Sequence, residues 1–214
     1  MALQARAEAT RRRILDSAVD LFGVLGYGET GLADVLQRAG VSKGAFYYHF
    51  DSKEGVATAI IEEFSEKIQQ SARNMFDPAA PDLGGVIRST FQSAAILASD
   101  DNARVGHELL QALKQISSAA SQTYSRWTDD FVDIIARAIG PWATDRGIDA
   151  TDAAEAIWMG ILGCQLLSSA LADNQFARLN RSWKVLLHML APPGEVATYI
   201  GIVDDAAASY SATV

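Results

Sequence analysis

The chain has a single cysteine, Cys164, in 214 residues, which excludes a disulfide framework and any zinc site built on paired cysteines. Cys164 lies in the apolar stretch GILGCQLL, where a free thiol behaves as a small hydrophobe, so a buried structural role is expected. No uninterrupted apolar run reaches the roughly eighteen residues that cross a bilayer, and the N-terminal MALQARAEATRRR carries no apolar segment behind its charges. A cytoplasmic protein without a membrane partner is expected. Strand signals are missing as well, since no sustained alternation of apolar and polar residues is bounded by turn dipeptides. There is neither a G-x-S-x-G elbow nor a recognisable pair of catalytic carboxylates, so no enzyme is expected. His107 and His188 have no carboxylate or cysteine at metal-ligand spacing, and the expectation is of no metal and no cofactor.

What remains is helical periodicity almost throughout. Ile14, Ala18, Leu21, Phe22 and Leu25 form one apolar stripe that ends at Gly26, and a long helix is predicted from Lys53 to about Phe76, broken by Asp77-Pro78-Ala79-Ala80-Pro81. Further helices are predicted near 83–98, 103–116, 119–139, 151–172, 176–190 and 195–208, separated by SDDN, GPWATDRGID, ADN and APPG. The final AAASYSATV is expected to be loose. The fold class is therefore all-α, with about nine or ten helices, a small N-terminal domain over 1–52 and a larger helical bundle over 53–214.

The densest local signal is TGLADVLQRAGVSKGAFYYHFDSKE at residues 30 to 54. Leu32, Val35, Leu36 and Ala39 give a first short helix one apolar face; Gly40 supplies the permissive backbone of a tight turn, and Val41 pins that turn to the core. Ser42 is the N-cap of the next helix, within which Phe46 and Phe50, four residues apart, face inward. Lys43, Gly44, Ala45, Tyr47, Tyr48 and His49 are left outside. One ammonium, two phenols and an imidazole, with no carboxylate from 42 to 50, suit phosphates and base edges, and the small residues Gly44 and Ala45 allow close approach to a groove floor. Two amphipathic helices around a glycine also occur in helical proteins that never meet DNA, so spacing alone leaves both readings open.

The net charge of −8 opposes a nucleic-acid partner until it is divided along the chain. Residues 1 to 53 hold seven Lys and Arg against six Asp and Glu, while 54 to 214 hold eleven against twenty. Arg11, Arg12 and Arg13, placed just before or at the start of the first helix, are candidates for phosphate contact, the alternative being a solvated helix start.

Taken with ILDSAVDLFGVLGY upstream, AGVSKGAFYYHFDSKE resembles the N-terminal domain of the TetR family of bacterial repressors over about residues 10 to 60. The resemblance implies a three-helix helix-turn-helix domain followed by a ligand-binding and dimerisation bundle, and a homodimer on a near-palindromic double-stranded operator, with recognition helices about 34–36 Å apart or farther. It also implies that Thr30, Tyr47, His49 and Lys53 clamp phosphate while Lys43, Ala45 and Tyr48 read base edges. Where many family members carry Ser or Thr this chain has Gly31, and Thr30 is expected to take the capping role one position earlier. Leu36 stands where a smaller residue is common.

A narrower resemblance concerns YSRWTDDF around Trp127, GCQLLSSAL at 163–171 and NRSWKVLLHMLAPP ending at 193, which are similar to the γ-butyrolactone receptor branch. In that branch a tryptophan lines the ligand pocket, and Trp127 is the matching residue; the other two segments match helices that complete the domain and contribute to dimerisation. A small apolar effector, such as a γ-butyrolactone, needs a flat apolar wall and one or two hydrogen bonds. Trp127 supplies the wall, Gln165 a polar contact, and Thr90, Phe91 and Ile161 are further candidates. For Gln165 an interhelical or dimer-interface hydrogen bond is an equal reading, and for the tryptophans core packing is the common role. A TetR-type repressor that senses an unrelated drug, lipid or metabolite is the alternative.

Overall fold

The computed structural model describes residues 2–113 and 117–211, and among them ten α-helices and no strand: α1 (Ala2–Leu25), α2 (Leu32–Ala39), α3 (Lys43–His49), α4 (Lys53–Arg73), α5 (Leu83–Ser99), α6 (Asp101–Leu113), α7 (Ser118–Asp145), α8 (Ala150–Leu171), α9 (Gln175–Leu190) and α10 (Val196–Ser211). The predicted end of the sixth helix, at 114–116, lies outside the described residues.

Three expectations about the elements change. α1 begins at Ala2, so the three arginines sit in its middle and not at its start; ALQARAEATRRR is made of strong helix formers without a breaker, and nothing stops the helix from extending back. α7 runs through Pro141 to Asp145. Proline removes one ladder hydrogen bond, but Ile139 and Ala143 are both buried and the Trp142 ring meets Tyr199 edge to face at 5.1 Å, so packing holds the last turn. The tail expected to be loose is helical through Ser211, because Val203 and Ala206 are buried and Tyr210 hydrogen-bonds Gln92 of α5.

The chain divides into two compact units, one of Met1–Lys67 with Asp100–Ser125 and one of Ile68–Ser99 with Arg126–Val214. In the first, Ile14, Leu15, Ala18, Val19 and Phe22 are the buried face of α1, with Leu25 left 49% exposed. They pack with Val35 and Leu36, with Phe46, and with Ile60, Ile61 and Phe64 of α4. A Cβ at Gly106 of α6 would lie 2.5 Å from the Cβ of Phe64 and 3.0 Å from the carbonyl of Ile60. Only glycine permits that crossing.

In the second unit α5, α9 and α10 form the core with Ile87, Phe91, Phe176, Leu179, Trp183 and Val203, all buried. The guanidinium of Arg146 donates to the carbonyls of Met189 and Ala191, closing the C-terminus of α9. α8 packs on α9. By length and composition α8 is apolar enough to span a bilayer, at 22 residues and mean hydropathy 1.3, and only 28% of that stretch is buried. Met159, Leu166, Leu167 and Leu171 of α8, with Val185 and Met189 of α9, are exposed.

Candidate functional site

The reader is assembled from short-range devices. Gly40 takes φ +63°, ψ +40°, its N–H donating to the carbonyl of Gln37 and that of Val41 to Leu36, so the turn needs the left-handed conformation that glycine allows. The Ser42 hydroxyl accepts from the amide of Ala45 at 3.2 Å, an N-cap worth about 1 kcal/mol. Phe46 is fully buried and Phe50 nearly so, their rings 6.0 Å apart. With two side chains fixed inward, α3 turns Lys43, Gly44, Tyr47 and Tyr48 to solvent, Ala45 and His49 half-buried at the margins. Tyr48 is 77% exposed and meets the His49 imidazole edge to face at 4.9 Å.

Two expected members of this face point elsewhere. Thr30 is 1% exposed, and its hydroxyl donates to the carbonyl of Gly26 at 2.8 Å, so it neither caps α2 nor meets solvent. The cap comes from Asp34, whose carboxylate accepts the amide of Gly31 at 2.8 Å. Lys53 is turned inward too: its ammonium donates to the carbonyls of Tyr27 and Thr30, both at 2.8 Å, and lies 4.1 Å from the centre of the Tyr27 ring. It clips the loop before α2 to the first turn of α4. Both residues were assigned by position in a motif, and their partners lie too far along the chain for spacing to reveal.

Arg11 and Arg12 are part-exposed on α1 and share one carboxylate, Glu63 of α4, at 3.4 and 2.9 Å; Arg12 also binds Asp16 at 2.8 Å, and the Arg11 guanidinium lies 5.4 Å from the centre of the Phe50 ring. A phosphate reached by either arginine therefore competes with a carboxylate already in place.

In the second unit, Trp127 is buried in an aromatic cluster, edge to face with Phe131 at 5.5 Å and with Trp158 at 5.2 Å, while Phe131 and Trp158 stack at 4.7 Å and 8°. Ile161 and Gln165 are half-buried on α8, three and seven residues after Trp158 and so on its side of the helix. Thr90 is occupied. Its hydroxyl donates to the carbonyl of Ile87 at 2.7 Å and accepts the Trp183 indole N–H at 3.0 Å, and Phe91 beside it is fully buried in the core. Sequence reasoning missed Trp158, although its spacing from Ile161 and Gln165 marks it. Cys164 is buried, as its surroundings required.

Residues 14–60 match the family described as "Bacterial regulatory proteins, tetR family". The A-factor receptor protein of Streptomyces griseus is 30% identical over 204 residues, spanning 92% of this chain and 69% of the receptor. The crystal structure of a γ-butyrolactone receptor described as ArpA-like superposes with a TM-score of 0.75 at 26% identity, over 95% of this chain and 99% of that one. CprB of Streptomyces coelicolor, a TetR-family protein in complex with its biological operator sequence, superposes with a TM-score of 0.69 at 26% identity, over 94% and 97% of the two chains. A reader built on a capped α3, joined to a likeness that runs almost the whole length of the sequence, leads to one assignment: the chain belongs to the TetR family of bacterial regulatory proteins and resembles its γ-butyrolactone receptor branch.

Proposed function

We propose that this protein is a ligand-responsive transcriptional repressor that binds a near-palindromic operator as a homodimer and is released by a small apolar effector of the γ-butyrolactone type. The observation that carries the reading is the outer face of α3, where Lys43, Tyr47 and Tyr48 stand exposed on a helix whose other side is locked by Phe46 and Phe50. In this reading residues 1–52 read DNA and 53–214 bind effector and dimerise. Lys43, Ala45 and Tyr48 contact base edges; Tyr47, His49 and the α1 arginines approach phosphate. Thr30 and Lys53 act from behind, as supports of the reader. The operator places the protein in the cytoplasm, and its relatives are regulators, not enzymes.

The near full-length likeness to the receptors supports the effector class, and the Trp127 cluster supports an apolar, aromatic wall for it. The exposed apolar side chains of α8 and α9 support a second copy as the partner that covers them, because one self-complementary patch suffices for a two-fold dimer. Switching from 1:99 to 99:1 requires the effector to prefer the released state by about 5.5 kcal/mol, which calls for an enclosed site. The test is to titrate the operator-bound protein with substituted γ-butyrolactones. Release is expected; release by an unrelated drug or lipid with none by any lactone overturns the effector assignment.

A further inference from the structure

The indole N–H of Trp158 is the exception among the buried polar groups of its unit. Trp158 is 5% exposed, and its Nε1 is buried with no hydrogen-bond partner among the described residues. The contrast with Trp183 is direct, since that indole is equally buried and donates to the Thr90 hydroxyl at 3.0 Å. A buried donor left unpaired is unfavourable. The ring cannot turn to find a partner, because Phe131 is stacked on one face at 4.7 Å and Trp127 meets it edge to face at 5.2 Å. Rotation would break both contacts. A second polar atom in the same surroundings, the hydroxyl of Thr128 next to Trp127, is also buried without a partner.

We infer that Trp158 supplies the hydrogen bond that receives the effector's acceptor oxygen, while Trp127 and Phe131 hold its ring in place. This rests on the effector reading above and divides its labour: Trp127 is wall, Trp158 is donor. The ligand class is a neutral carbonyl on an apolar body, since indole and phenyl rings carry no formal charge to hold an anion and a fixed N–H favours a lone pair at one position. On α8 the donor has Ile161 and Gln165 three and seven residues on, an apolar and a polar neighbour along the same side.

The experiment follows the tryptophan indole N–H signals of ¹⁵N-labelled protein during titration with a γ-butyrolactone bearing a hydroxyalkyl chain, together with its affinity for Trp158→Phe. The expected result is a downfield shift of the Trp158 signal on binding, an unmoved Trp183 signal, and about tenfold weaker lactone binding by Trp158→Phe with unchanged operator affinity. The analogue in which the ring carbonyl is replaced by methylene is expected to bind both proteins equally. If Trp158→Phe does not fold, the wild-type signals are assigned through the backbone, and the shift with lactone against that with the analogue decides the matter. A lactone that binds while leaving the Trp158 signal unmoved, or that binds Trp158→Phe as tightly as wild type, overturns the donor assignment and leaves the effector reading standing. Failure of the wild-type protein to bind any lactone overturns both.

Discussion

The two units are unfinished in opposite ways. In the reader unit the inward groups of the motif are paired, Thr30 to Gly26, Lys53 to Tyr27 and Thr30, Asp34 to Gly31, and the spare donors face outward on α3. In the second unit apolar side chains face outward, with Leu166 72% exposed, and unpaired polar atoms lie inside. Polar outside suits a wet, charged partner such as DNA; apolar outside suits another protein surface, and polar inside suits a small molecule. Each unit thus advertises its partner by what it leaves unsatisfied.

The comparison breaks most visibly at Phe46. Phe46→Ala removes the main anchor of α3 and is expected to destabilise the reader unit by about 3–5 kcal/mol. All four tryptophans belong to the second unit, so their fluorescence should hold to higher urea than far-ultraviolet dichroism; coincident, unshifted curves would show that the anchor matters little. Next, Leu166→Glu with Leu171→Glu places charge on the exposed face of α8, and sedimentation should show monomers and lost operator binding, whereas an intact dimer would exclude that face as the interface. Lys43→Ala with Tyr47→Ala should cost about 1–3 kcal/mol per base contact in operator affinity with no change in melting temperature or lactone binding. The mildest effect concerns Asp100. Its burial raises the carboxyl pKa, but the hydrogen bond from Lys67, followed by the amide of Ala103, outweighs burial and holds it below its ordinary value of 3.8. That stabilisation is present above pH 3.8 and is lost as the pH falls through the lower folded-state value. Asp100→Asn should therefore be slightly less stable than wild type near neutrality, and the gap should close in acid; a gap that stays constant with pH would exclude the ionised carboxylate as its source.

How much the sequence revealed depended on range. The α2 turn α3 segment was readable because Gly40, Ser42, Phe46 and Phe50 act within a few residues of one another. Lys53 and Arg12 were placed on the DNA side because their partners lie 23 and 51 residues away, and nothing local shows that an ammonium will turn towards two carbonyls. The start of α1 was set too late because a run without a breaker gives no start signal, and α7 was cut short at Pro141 because buried Ile139 and Ala143 could not be weighed against a proline. Trp158 was in plain sight by helical spacing, but an unpaired indole becomes a distinguishing mark only when its neighbours are known.

α3 has seven residues, fewer than a helix needs to persist alone in water, so its order is borrowed from one hydroxyl cap and two phenylalanines. The residues that hold it and the residues that read with it are therefore separate sets. Lys43, Ala45, Tyr47 and Tyr48 are free to drift between lineages, or to be redesigned together for a new operator, without reopening the question of whether the protein folds.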